Sequence, residues 1–160
     1  TVRDRSWGEH RPEAHNPGPP YNWGTGSFDQ GRVAFNVGSC DDPAGDPEWL
    51  GKIPCNPESI FKDGWIARGA EQRRIVRAAK KCWRNREMLM PERFEIEMED
   101  EDGNVERMTG KVIASVPGFH WPNIATHLAL VEWQWNGITG YGESQDVHWN
   151  DYVYHCGQMD

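Results

Sequence analysis

Aliphatic bulk and positive charge are what this chain lacks most. Only 37% of its 160 residues are hydrophobic, yet nine of them are Trp. Few aliphatics and many indoles predict a shallow, aromatic-lined interior rather than a large Leu/Ile/Val core. Lys and Arg number 17 against 25 Asp and Glu, a net charge of -8. That balance excludes binding along a phosphate backbone, which needs clustered cations, so no nucleic-acid partner is expected. The one basic run, "RRIVRAAKK" at 73–81, reads as a solvated face. No stretch approaches the ~20 apolar residues of a membrane span. The opening "TVRDRSWGEH" lacks the pattern of a secretory signal, so a cytoplasmic location is the expectation.

Familiar catalytic signatures are missing as well. The chain has no GxSxG elbow and no P-loop, and "GTGSF" at 24–28 is a lone glycine-rich fragment. Its six histidines show neither HExxH nor His-x-His spacing, so no metal is expected, with a site assembled from distant strands as the alternative. No cofactor is expected either. The four cysteines, Cys40, Cys55, Cys82 and Cys156, have no CxxC spacing and are expected as reduced thiols.

What is present is punctuated β-pattern. Residues 1–27 are rich in Pro, Gly, Asn and His, and 39–59 form a second Pro/Asp/Gly loop. Between them "SFDQGRVAFNVG" reads as strand–turn–strand or one bulged strand. "SIFKDGWIARG" predicts two short strands about an Asp63-Gly64 turn. "RFEIEMED" alternates, with Phe94, Ile96 and Met98 on one face and Glu95, Glu97 and Glu99 on the other. After an "EDGN" turn, "VERMTGKVIASV" continues as a strand, and "IATHLALVEWQW" and "GYGESQDVHW" are joined at an Asn136-Gly137 hairpin. The segment "AEQRRIVRAAKKCW" at 70–83 has helical composition. Five or more antiparallel strands with tight turns predict an all-β antiparallel barrel or sandwich with long N-terminal loops. The expected organisation is a loop-rich segment 1–59, holding one or two strands, packed on a barrel core 60–160.

Two clusters carry candidate chemistry. On the last strand, Tyr141, Glu143, Gln145, Val147 and Trp149 point one way, and Gly142, Ser144, Asp146 and His148 the other. The preceding strand sets Ala129, Val131, Trp133 and Trp135 on one face. Both faces of this hairpin are mixed, which suits a barrel with a polar-decorated cavity; an edge hairpin with ordinary surface polarity is the plain alternative. The second cluster, "RDRSWGEHR", supplies Asp4, Ser6, Glu9 and His10 beside Trp7. A single Asp or His in such a loop ordinarily staples the loop by hydrogen bonds.

The motifs "VRDRSWGEHRP", "VPGFHWPN" (Val116–Asn123) and "GYGESQ" (Gly140–Gln145), in that order, resemble the C-terminal half of the lipocalin-like carotenoid 1,2-hydratase/AttH group of bacterial proteins. That resemblance implies lipocalin-like antiparallel barrels, makes 70–83 a strand despite its composition, and implies a second barrel domain or subunit as partner. Arg5 stands where the group's motif has a His. The group's chemistry implies a cofactor-free hydratase or dehydratase, or an isomerase, acting on an apolar terpenoid, steroid or polyketide-type molecule. Protonating an isolated C=C bond needs a desolvated acid and aromatic faces that tolerate a cation. Set against that chemistry, the chain offers Asp4, Glu143, Asp146 and His148 for catalysis, with Trp7, His10, Trp23, Trp133, Tyr141 and Trp149 as the ligand wall. The competing expectation is a non-catalytic subunit or an apolar-ligand-binding module; a sugar-binding jelly roll is a third.

Overall fold

A computed structural model describes residues 20–40, 61–85, 87–121 and 124–149. Eight strands run in order: β1 Tyr21–Phe28, β2 Val33–Cys40, β3 Phe61–Arg68, β4 Glu71–Arg84, β5 Pro91–Asp100, β6 Val105–Trp121, β7 Ile124–Trp135 and β8 Ile138–Trp149. Each pairs antiparallel with the next, and β1 returns to pair with β8, closing a lipocalin-like barrel. Closure removes every sheet edge, which an open sandwich would leave exposed. The expected boundary at residue 60 falls between β2 and β3, two neighbouring staves of one barrel. Among the described residues no helix is long and apolar enough to cross a membrane.

The tight turns gather at one end. Asn136 and Gly137 both take positive φ, 48° and 76°, which the two-residue hairpin turn requires and which Asn and Gly tolerate best. At the β5–β6 turn the Asp100 carboxylate accepts from the backbone N–H of Asp102 and of Asn104 (3.0 and 2.8 Å).

Three segments depart from simple sequence reading. Residues 21–28, the end of the loop-like stretch 1–27, are β1, held extended by pairing to β2 and β8. Residues 71–84 are β4, as the resemblance implied and the composition did not. Ile75, Ala78 and Lys80 face inward while Val76, Arg77 and Ala79 lie outside, and a bulge between Ile75 and Arg77 shifts the alternation. Pairing to β3 and β5 overrides the helical preference of Ala, Glu, Gln and Arg. Asp63-Gly64, expected as a turn, lies inside the unbroken β3. Gly64 is there for space: a Cβ would sit 2.9 Å from the Asn36 carbonyl oxygen and 3.3 Å from Ile75.

The inward residues divide the interior into two storeys. Towards the tight-turn end lies an apolar core that includes Phe28, Phe35, Phe94, Met108, Trp133 and Trp135. Trp133 sits at its centre, edge-on to Phe35 at 5.2 Å, with its indole N–H donating to the Thr25 carbonyl at 2.9 Å. Gly26 and Gly110 make the room, since a Cβ on either would come within 2.7 Å of the indole. Outside, Arg77 pairs with Glu99 and Arg107 with Glu97 across the strands (2.6 and 2.8 Å). These exposed pairs are worth only ~0–1 kcal/mol each, but they fit the outward Glu face of β5.

Candidate functional site

The other storey, at the end carrying the longer connections, is polar. β8 turns Ser144, Asp146 and His148 inward, all fully buried. Register places His127 of β7 opposite Asp146 on one side and Asn22 of β1 opposite it on the other. Asn22 Nδ2 donates to Ser144 Oγ. Arg84 reaches the group from β4, which stands across the barrel from β8. Its guanidinium grips Asp146 in a bidentate fork, Nε to Oδ2 at 2.8 Å and Nη2 to Oδ1 at 2.7 Å. His148 Nε2 lies 2.6 Å from Asp146 Oδ2, and the His127 ring meets the His148 ring edge-on at 5.4 Å.

Charge is finely set here. Burial pushes the Asp146 carboxyl up, but the Arg84 and His148 charges and their hydrogen bonds outweigh it and hold Asp146 well below the usual carboxylate range. Burial, with His148 and Arg84 nearby, pushes the His127 imidazole below its ordinary value, so its neutral form is favoured. Asp146 is thus an anion, not a proton-holding acid. In neutral His148 the Nε2–H donates to that anion, leaving Nδ1 as the basic atom. A carboxylate bonded to one imidazole nitrogen orients the ring and stabilises the imidazolium formed when the other takes a proton. His127 Nδ1 is buried and has no hydrogen-bond partner among the described residues.

Of the residues singled out from sequence, the barrel brings together Asp146 and His148. Trp133 is also inside, in the apolar storey and packed on all sides. Glu143, Tyr141 and Trp149 belong to the outward set of β8; Glu143 is exposed, and the Tyr141 hydroxyl lies 3.3 Å from Glu132 Oε2. Trp23 is outward on β1, half-buried and edge-on to Tyr21 at 6.4 Å. Asp4, Trp7 and His10 lie outside the described residues.

Sequence reasoning missed His127, Arg84 and Asn22. A signal for His127 was present: counting back equally from the Asn136-Gly137 turn sets it opposite Asp146. Arg84 had none, because it comes from the far side of the barrel.

Fold and site together define a closed eight-stranded antiparallel barrel with a buried carboxylate–imidazole pair at its polar end. No family model matches the chain, and no curated protein or solved structure matches it significantly.

Proposed function

We propose that the barrel is a proton-transfer catalyst of the hydratase, dehydratase or isomerase type, acting without an organic cofactor on a small, largely apolar molecule held at the polar end. The observation that carries this reading is the fully buried His148–Asp146 pair, fixed by Arg84. Such a pair costs desolvation energy and adds little net stability, so its retention in a core suits chemistry better than scaffolding. The roles differ from those the carotenoid-hydratase resemblance implied. His148 is the group that takes and returns the proton, Asp146 orients it, and neutral His127 beside it accepts or donates a hydrogen bond to the polar atom of the bound molecule. The apolar storey beneath supplies a dry floor. A cytoplasmic setting is part of this reading.

The test is deuterium incorporation, read by mass spectrometry, over a panel of apolar tertiary alcohols, isolated alkenes and enolisable ketones in D2O. Wild type is expected to exchange or hydrate at least one class; Asp146→Asn and His148→Gln are expected to lose it by about 100-fold or more. Exchange equal in wild type and both variants would sink the reading.

A second reading, a subunit that completes a larger complex, has one observation of its own. Ile113, Val116, Leu128 and Leu130 are exposed on the outer face of β6 and β7, with Val116 and Leu128 paired in register. Sedimentation at micromolar concentration tests it. A dimer or hetero-complex dispersed by Leu130→Lys supports it, and a monomer throughout argues against it.

A further inference from the structure

We infer that His127, Asp146 and His148 form a binding site for a divalent transition-metal ion of the zinc type. The inference does not rest on the proton-transfer reading, and its test uses no substrate. The three side chains are buried, and their ligand-capable atoms all lie within 4.8 Å of one another. Two ligands on one zinc ion stand roughly 3 Å apart. His148 Nε2 and Asp146 Oδ2, at 2.6 Å, already lie within that spacing, so the remaining closure falls to the His127 side chain. Two imidazoles with one carboxylate are the mixed nitrogen–oxygen set that suits zinc and its neighbours and leaves positions open for water or a ligand.

A second observation points the same way. His127 is 6% exposed, yet its buried Nδ1 makes no hydrogen bond with any described residue. Buried polar atoms are nearly always satisfied, and an unmet nitrogen on an imidazole packed edge-on against His148 suits a metal ligand. Arg84 holds Asp146 through two hydrogen bonds and orients it as outer partners orient metal carboxylates. The guanidinium charge also repels a dication. The affinity is therefore below that of an all-cysteine structural site, and an anion such as hydroxide completes the coordination.

Metal binding uses the lone pairs of both histidines, so the metal-bound and proton-transferring states exclude each other. Failure of the metal test leaves the proton-transfer reading standing, and the reverse also holds.

The experiment is a Co2+ titration of the full chain followed by visible absorption, repeated with Zn2+ by calorimetry. Ligand-field bands saturating at one equivalent are expected. His127→Gln should weaken Co2+ binding by about tenfold or more, while Glu95→Gln, on the exposed face of β5 and a control for adventitious chelation, leaves it unchanged. An absence of bands, or bands indifferent to His127→Gln, would overturn the inference. Should His127→Gln fail to fold, histidine NMR of the wild-type chain decides. Zn2+ is expected to shift the His127 and His148 imidazoles together, and shifts confined to other histidines count against the site.

Discussion

Arg84 spans the mouth of the barrel to hold Asp146, with hydrogen bonds of 2.8 and 2.7 Å between opposite staves β4 and β8. The guanidinium side chain is 8% exposed and the carboxylate is fully buried, so Asp146 depends on Arg84, together with His148, in place of water. Removing one member of such a pair is costly: Arg84→Met is expected to destabilise the fold by about 3–5 kcal/mol, because Asp146 is left as an uncompensated charge. Arg84→Met/Asp146→Asn is expected to recover most of that loss. Urea denaturation of both variants checks it, and a double variant worse than the sum of the singles would refute the coupling.

Stability should rise with pH across the acid range. For His127 the folded value is lowered, so below the unfolded value of roughly 6.5 the unfolded chain binds more protons and folding is penalised. The contribution of Asp146, whose folded value is also lowered, is present above roughly pH 3.9 and is lost as pH falls through the folded value. Melting temperatures should therefore decline below about pH 6.5 and more steeply below about pH 4. His127→Gln should flatten the first interval and Asp146→Asn the second. A wild-type melting temperature that climbs as pH falls from 7 to 5 would contradict this.

The packed storey is tested at Gly110, where a Cβ would stand 2.5 Å from the Trp133 ring. Gly110→Val is expected to cost about 1–3 kcal/mol or more through overpacking, and Trp133→Ala about 3–5 kcal/mol through a cavity. The check is denaturant unfolding followed by circular dichroism. Gly110→Val at wild-type stability would mean that the indole is not held where the barrel places it.

Inside and outside on β8 are separated by a comparison of Glu143→Gln with Ser144→Ala. Glu143 is exposed, so its replacement should change stability by no more than about 0.5 kcal/mol. Ser144 is buried and bonded to Asn22, so its loss strands an amide and should cost about 1–3 kcal/mol. The reverse order of effects would mean the strand is turned over.

Much of the barrel was legible because its signals are local. The alternation of Phe94, Ile96 and Met98 against three glutamates, and the Asn136-Gly137 turn, each depend on neighbours a few residues away. β4 was not legible from composition, since its helix-forming residues are held extended by hydrogen bonds to β3 and β5. The Asp63-Gly64 dipeptide read as a turn because its real constraint is the approach of Asn36 and Ile75 from other strands. At the site, Asp146 and His148 stood out as alternate residues on one strand face. Which face turned inward was not legible, nor was the partner Arg84, because both are consequences of barrel closure.

Orientation of His148 by Asp146 is read most directly in a long-range 1H–15N spectrum of the histidine rings in wild type and Asp146→Asn. Neutral His148 is expected as the Nε2–H tautomer, with that proton shifted far downfield and the shift largely lost in Asp146→Asn. A His148 found as the Nδ1–H tautomer, or one whose ring signals ignore Asp146→Asn, would contradict it.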